Sequence, residues 1–380
     1  MLGAYRGKGG EPVLTTLVSF CVGLVTLILG AEMLVRGASR LAVAAGISPL
    51  VVGLTVVAFG TSSPELAINL KASLSTGTPL GIGNIIGSNI LNILLILGLS
   101  ALIVPLTVAQ QLVRFDVPLM IGASLLLYRF AQDGMLDRWE GLTLTTGAVL
   151  YTLFCIWSSR RESREVAEEY QAEYAVPATN RRRGMYLLGQ TLLAGMGLAA
   201  LTYGSSTLVE SAVAFARMWG VSELIIGLTI ISVGTTLPET VTTVAASMRG
   251  ERDIAVGNVV GSFLFNILVV AGMAALVAPR GVPVPDAALA FDLPVMTAVA
   301  VACLPVFVIG GQISRWEGGL FFGYYVAYTV YLWLSATGHP ALRTFQNVML
   351  FFVIPLTVLT LGVLTLDTLR RYRRRVSASQ

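Results

Sequence analysis

Two glutamates within long apolar stretches are the residues of this chain best suited to chemistry. Glu65 and Glu239 each follow the pattern Gly-Thr-X-X-Pro, in which X is Ser, Thr or Leu. A charged side chain at the centre of a bilayer costs about 3 kcal/mol on translocon scales. A bound cation would offset that cost, whereas a single membrane glutamate can also be a satisfied structural group. Because the pattern occurs twice, we interpret the two carboxylates as parts of a cation site.

Oxygen atoms accompany both glutamates. The prolines at 64 and 238 remove a backbone donor, so we expect kinked or unwound helices with freed carbonyl oxygens there. Hydroxyls three or four residues before each glutamate share its helix face, and serine and asparagine follow in the next apolar segment. Calcium takes about 6–8 oxygen ligands, whereas zinc and copper favour nitrogen and sulfur, which are absent nearby. The candidate metal ligands are Glu65, Thr61, Ser62, Ser88, Asn92, Glu239, Thr235, Thr236, Ser262 and Asn266, with the backbone carbonyls of Ala58 and Ser232.

The two sets of candidate ligands belong to an internal repeat. GLTVVAFGTSSPE at 53–65 matches GLTIISVGTTLPE at 227–239, and GNIIGSNILNILLILG at 83–98 matches GNVVGSFLFNILVVAG at 257–272, both 174 residues apart. Each repeat unit is predicted to contain five membrane-spanning segments. Because five is odd, the second copy must cross the membrane in the opposite sense, which is the inverted repeat of a secondary transporter.

Composition places the whole chain in a membrane. Of 380 residues, 55% are hydrophobic and 12% charged, whereas soluble domains carry about 25% charged residues. The basic residues cluster in short loops between apolar runs, which argues against a nucleic-acid partner and for the lipid bilayer. We predict an all-α integral membrane protein of two inverted five-helix repeats, a ten-helix core, plus an eleventh helix. The predicted spans are 13–36, 48–75, 80–104, 113–131, 139–158, 185–206, 222–248, 254–278, 287–309, 316–336 and 344–367.

Charge gives the predicted orientation. Most Lys and Arg fall in loops that share one side, which is the cytoplasmic side by the positive-inside rule. The N-terminus is then outside and the C-terminus cytoplasmic, in the cell membrane. The predicted divisions are a first repeat (1–158), a cytoplasmic polar loop (159–184), a second repeat (185–336), and an extra helix with a basic tail (337–380).

The repeated motifs resemble the signatures of the calcium/cation antiporter superfamily, specifically its prokaryotic sodium/calcium exchanger branch. They read GTSSPE with GNIIGSNILN, and GTTLPE with GNVVGSFLFN, and the resemblance covers about residues 13–336. It implies an ion site formed by the second and third helices of each repeat, with Glu65 and Glu239 as the calcium carboxylates, and sliding of the first and sixth helices. Asn266 stands where some relatives carry aspartate, and Thr236 where some carry serine.

We therefore expect a secondary transporter that exchanges calcium for sodium by alternating access. Two alternatives stay open: a proton/calcium antiporter and, in another class, a calcium-selective channel that uses carboxylates. Members of the family with two asparagines include both sodium- and proton-coupled exchangers. The site shows no nucleophile–base pair, so no enzyme activity and no cofactor are expected; the transported ions are Ca²⁺ and Na⁺ or H⁺.

Overall fold

The computed structural model describes residues 13–45, 47–74, 80–173, 180–219 and 232–378, and they are mainly helical. Several helices contain a π-helical part, which has its own residue range. The helices are α1 (Val13–Ala45), α2 (Pro49–Val52, Gly53–Val57 and Ala58–Thr61), α3 (Ser63–Leu74), α4 (Leu80–Leu91, Asn92–Leu97 and Gly98–Ile103), α5 (Leu112–Asp116 and Val117–Phe130), α6 (Arg138–Glu173), α7 (Asn180–Met218), α8 (Leu237–Met248), α9 (Arg252–Phe265, Asn266–Ala271 and Gly272–Val277), α10 (Ala288–Asp292 and Leu293–Val308), α11 (Arg315–Ala336) and α12 (Leu342–Val348, Met349–Val353 and Ile354–Ala378).

Short segments connect these helices. A 3₁₀ turn at Ala131–Asp133 follows α5, and the single helical turn Ser232–Gly234 precedes α8. The two-residue strands are β1 (Leu106–Thr107), β2 (Met135–Leu136), β3 (Val282–Pro283) and β4 (Gln312–Ile313).

The strand pairs report how the repeats are arranged. β1 follows the third segment of the first repeat and pairs antiparallel with β4, which follows the fourth segment of the second repeat. The complementary strands, β2 and β3, pair in the same way. Loops after the third and fourth segments of one repeat lie on opposite sides of a membrane. Pairing them across repeats therefore requires the two copies to run in opposite senses, which agrees with the predicted inverted repeat.

Helix bounds repeat along the chain. The π-helical parts Asn92–Leu97 and Asn266–Ala271 are 174 residues apart at both ends, and so are α3 and α8 at their C-terminal ends. The bend expected before Pro64 is present, since Pro49–Thr61 and Ser63–Leu74 meet at 48°. Proline has no N–H and crowds the preceding turn, which accounts for the bend.

Burial places α4 and α9 at the centre of the molecule. In each of them the most apolar stretch is 78% buried, whereas in Leu342–Leu366 only 6% is buried. The predicted eleventh helix, α12, is thus peripheral, with large apolar side chains such as Phe351 and Leu359 exposed, as suits a lipid-facing surface.

Helices α1 and α7 cross in close contact. A Cβ added at Gly30 would lie 2.6 Å from the Leu201 nitrogen, and one added at Gly197 would lie 2.5 Å from the Leu34 nitrogen. Only glycine permits this backbone approach, which is the usual basis of tight packing between membrane helices. The two helices are the first segments of the two repeats.

The structure supports only part of the predicted set of eleven membrane spans. Among the described residues, seven helices are long and apolar enough to cross a membrane, or eight if the bent pair is one span. Helix α5 falls outside this group and carries Arg114, Asp116 and Arg129, and α11, also outside it, is rich in tyrosine. The predicted span 222–248 is described only from residue 232, so the total of eleven stays a prediction.

The polar stretch predicted as a loop at 159–184 is partly helical. Helix α6 continues to Glu173 and α7 begins at Asn180, while residues 174–179 lie outside the described part. The stretch places Arg161 four residues before Glu165, and Arg164 four before Glu168. Such spacings favour a solvated helix, a signal that the interpretation of this stretch as a loop overlooked.

Candidate ion-binding site

Both glutamates lie in the first turn of a helix that begins directly after a short turn. Glu65 is in the first turn of α3 and Glu239 in the first turn of α8. Each side chain is 1% exposed. Helix α3 packs against the π-helical part Asn266–Ala271, and α8 packs against Asn92–Leu97. Each glutamate therefore lies on a helix that meets the asparagine-bearing helix of the other repeat, and the two carboxylates are close enough to interact electrostatically.

One hydrogen bond joins the repeats directly at the carboxylates. The Ser62 hydroxyl donates to Glu239 Oε1 at 2.8 Å. On the other side of the site, Thr235 is the hydroxyl residue that lies beside the Glu65 carboxylate. The residue equivalent to Ser62 by the repeat is Thr236, so the two halves approach each other's glutamate with different hydroxyls.

Many buried oxygens around the glutamates have no hydrogen-bond partner among the described residues. A buried polar atom normally has one, because leaving it unsatisfied costs about 1–3 kcal/mol. A concentration of such atoms is what a site for a desolvated cation requires. They are Glu65 Oε1 and Oε2, Glu239 Oε2, Asn92 Oδ1, Asn266 Oδ1, Ser262 Oγ and Thr235 Oγ1.

Both asparagines start a π-helical part. Asn92 begins Asn92–Leu97 and Asn266 begins Asn266–Ala271. A π-turn widens the helix locally and is frequent at functional sites. The side chains differ in their contacts: Asn266 Nδ2 donates to Asn89 Oδ1 at 3.1 Å, whereas both amide atoms of Asn92 are without a partner in the described part of the chain.

Other predicted ligands are engaged in the protein. The Thr61 hydroxyl lies 3.1 Å from the Val57 carbonyl and 3.2 Å from Asn258 Oδ1. The Thr236 hydroxyl donates to the Val233 carbonyl at 3.0 Å. Ser88 is buried on α4, four residues before Asn92. The structure thus brings the glutamates, asparagines and several hydroxyls together, with Thr61 and Thr236 turned toward protein acceptors.

Some of the carbonyl oxygens that the sequence predicts to be free accept hydrogen bonds within the protein. The Ala58 carbonyl accepts the Ser62 N–H at 3.0 Å. Pro238 cannot donate to Gly234, and the hydroxyl of Ser205 supplies that hydrogen bond from α7 at 2.9 Å. Ser232 opens the turn Ser232–Gly234, and its side chain lies outside the described part. The Thr61 hydroxyl also lies 3.4 Å from the Ala58 carbonyl oxygen, so both lone pairs of that oxygen have a neighbouring donor.

Sequence reasoning missed a second layer of polar residues. Asn258 is fully buried; its Nδ2 donates to Thr243 Oγ1 at 2.9 Å, and its Oδ1 faces Thr61. The sequence did contain a signal for Asn258, because the motifs GNIIGSNILN and GNVVGSFLFN both open with a Gly-Asn pair, at Asn84 and Asn258. Asn89, in contrast, has Phe263 as its repeat equivalent, so no repetition pointed to it.

Three features indicate a membrane secondary transporter for cations: the inverted repeats, the two buried acids that each follow a break between helices, and the buried oxygens that are unpaired among the described residues. The comparisons with known proteins give the family. The chain matches the sodium/calcium exchanger protein family over residues 15–157 and 189–334. It therefore belongs to this family, as a multi-pass membrane antiporter of the cation/calcium class.

Individual relatives span nearly the whole match. The chain is 37% identical over 328 residues to the putative antiporter CaxA of Alkalimonas amylolytica, covering 85% of this chain and all of CaxA. It is 32% identical over 339 residues to the sodium/calcium exchanger MaX1 of Methanosarcina acetivorans, covering 82% of this chain and 96% of MaX1. The structure of the sodium/calcium exchanger from Methanococcus jannaschii superposes with a TM-score of 0.71 at 26% identity, covering 84% of this chain and 98% of that one.

Proposed function

We propose that this antiporter exchanges calcium for sodium. Both ions bind between the segments that carry Glu65 and Glu239 and the π-helical parts that begin at Asn92 and Asn266. The observation that carries the proposal is the set of buried, unpaired oxygens around Glu65 and Glu239. Oxygen is the ligand type that calcium and sodium prefer, and a calcium ion needs about 6–8 such atoms. The proposed ligands remain those named from the sequence. Ser62 contacts Glu239 directly, and Asn92 and Asn266 begin the π-helical parts that pack against α8 and α3.

The charge of the site explains why exchange would be obligatory. With both glutamates ionised and the site empty, two negative charges lie in a low-dielectric interior, where they interact strongly. One calcium ion neutralises them, and so do two monovalent cations. Loaded states then interconvert quickly while the empty state does not, which couples the two fluxes.

Sodium is proposed as the counter-ion from the context of the motifs, and a relative is named a sodium/calcium exchanger. Proton coupling is the second candidate, and one observation favours it: Asn92 and Asn266 are neutral, so two carboxylates carry the whole negative charge of the site. Two protons could neutralise these carboxylates as two sodium ions would. The membrane is proposed to be the cell membrane, with the N-terminus outside and the C-terminus cytoplasmic.

The test is calcium uptake into proteoliposomes under one imposed gradient at a time. A sodium gradient at fixed pH should drive calcium uptake, and a pH gradient in sodium-free buffer should not. Uptake driven by pH and unaffected by sodium would replace sodium with protons and keep the calcium site. Steady calcium leak with no counter-ion on the opposite side would contradict antiport and indicate a channel.

A further inference from the structure

Asn89 contacts a proposed ligand without being one. It lies on α4 between Ser88 and the π-turn, is fully buried, and accepts a hydrogen bond from Asn266 Nδ2 at 3.1 Å. Its own Nδ2 donates to the Met296 sulfur on α10 at 3.6 Å. Three side chains from three helices thus form a chain that ends at the ion site.

The direction of this chain is fixed by chemistry. The two ends of a side-chain amide have almost the same shape, so packing alone does not decide which end faces a cation. A thioether accepts hydrogen bonds and has no proton to donate. Met296 therefore favours the NH₂ end of Asn89, which turns the Asn89 oxygen toward Asn266. Asn266 must then present its NH₂ to Asn89, and its Oδ1 is left unpaired among the described residues.

In the part of the chain that the structure describes, the other repeat lacks an equivalent of the hydrogen bonds that orient Asn266. Phe263 stands at the repeat position of Asn89, and Asn92 has neither amide atom paired among the described residues. Asn92 can therefore rotate its amide to suit its surroundings, whereas Asn266 is held in one orientation. The site is asymmetric in this respect although its ligands are duplicated.

We propose that Asn89 is a positioning residue for cation binding, held by Met296, which keeps the amide oxygen of Asn266 turned toward the ion. This inference rests on the proposed function. A reversed amide would direct two N–H groups at a cation, so losing the positioning group weakens cation binding and leaves the turnover of a loaded site unchanged. Loss of an outer partner of a metal ligand typically lowers metal affinity by about 10–100-fold.

The first measurement is the KM for calcium in proteoliposomes. Asn89→Leu should raise it about tenfold with the maximal rate kept, and the repeat-matched control Phe263→Leu should leave it unchanged. Met296→Leu removes the sulfur and nearly keeps the volume, so it should raise KM by a smaller factor. Combined with Asn89→Leu it should add nothing, because both act through one chain.

The decisive measurement repeats Asn89→Leu in an Asn266→Asp background. A carboxylate presents oxygen in either orientation, so the tenfold effect should fall to about twofold or less there. An equal effect in both backgrounds would make Asn89 a packing residue and overturn the inference. An unchanged KM in both Asn89→Leu and Met296→Leu, with Glu65→Gln inactive, would overturn it while keeping the proposed function. Wild-type exchange by Glu65→Gln would remove the proposed function itself, and this inference with it.

Discussion

At the scale of single residues, the two glutamates are equivalent by the repeat and yet differently solvated by the protein. Glu239 accepts a hydrogen bond from Ser62 at 2.8 Å, while the Glu65 carboxylate has Thr235 beside it but no hydrogen bond of good geometry to either oxygen among the described residues. An unpaired buried carboxylate is unfavourable without a counter-charge. Glu65 is therefore the group with most to gain from a bound cation.

Neutral isosteres should separate charge from shape at these positions. Glu65→Gln and Glu239→Gln keep the side-chain volume and one oxygen, and remove the charge. Losing one partner of a buried ion pair costs about 3–5 kcal/mol, so calcium exchange should fall by about 100-fold or more. Glu140→Gln, at the start of α6 and outside the site, is the matched control. Wild-type flux in either site variant would exclude the assignment.

The hydroxyls at Ser62 and Thr236 should not contribute equally, although the repeat aligns them. Ser62 donates to a carboxylate, and a hydrogen bond to a charged group contributes about 1.5–3 kcal/mol. Thr236 donates to a carbonyl of its own turn. Ser62→Ala should therefore raise the half-saturating sodium concentration about tenfold, and Thr236→Ala by clearly less. Equal shifts in sodium-driven calcium uptake would show that the repeat, not the local hydrogen bond, decides the role.

At the scale of elements, the sequence predicted the bend, the buried pair of acids and the all-helical repeat, because each leaves a local signal. Proline marks the bend, and duplication marks the acids. The sequence did not predict which hydroxyls face the ion site. Thr61 and Thr236 donate to acceptors of the protein instead, and tertiary packing decides which acceptors lie within reach. Nor could the sequence indicate Ser205, which caps the Gly234 carbonyl from a segment 29 residues earlier.

The crossing of α1 and α7 allows a matched test on neighbouring glycines. A methyl group at Gly197 would meet the backbone of α1 at 2.5 Å, whereas one at Gly195 would meet nothing within 4 Å. Overpacking costs about 1–3 kcal/mol, so Gly197→Ala should lower the melting temperature of the detergent-solubilised protein and reduce transport. Gly195→Ala should leave both unchanged or raise the melting temperature slightly, since alanine favours helix. Similar losses in the two variants would mean that helix propensity, not close contact, governs this crossing.

At the scale of the whole molecule, two independent features predict the same topology. Because paired strands must lie on the same side of the membrane, the loops at 106–107 and 312–313 share one side. The loops at 135–136 and 282–283 likewise share a side with each other. The charge bias separately assigns the loops preceding Arg114 and Arg315 to the cytoplasm and the loop containing Arg280 to the outside. Hydrogen bonding and loop charge are unrelated properties, so their agreement supports the opposite senses of the two repeats.

Single cysteines in the strands test this topology directly. Met135 and Gln312 are exposed strand residues of different pairs, so cysteines there should be accessible from opposite sides of the membrane. With the native cysteines replaced by serine, a membrane-impermeant maleimide should label Met135→Cys in intact cells. It should label Gln312→Cys, and the tail variant Ser377→Cys, only after permeabilisation. Labelling of Met135→Cys and Gln312→Cys from the same side would contradict the inverted arrangement. Labelling of Ser377→Cys in intact cells, with the other two results as expected, would mean ten spanning segments and not eleven. Reversed labelling of all three would keep the fold and invert the assigned orientation, because strand pairing depends on the relative sense of the repeats and loop charge sets the absolute one.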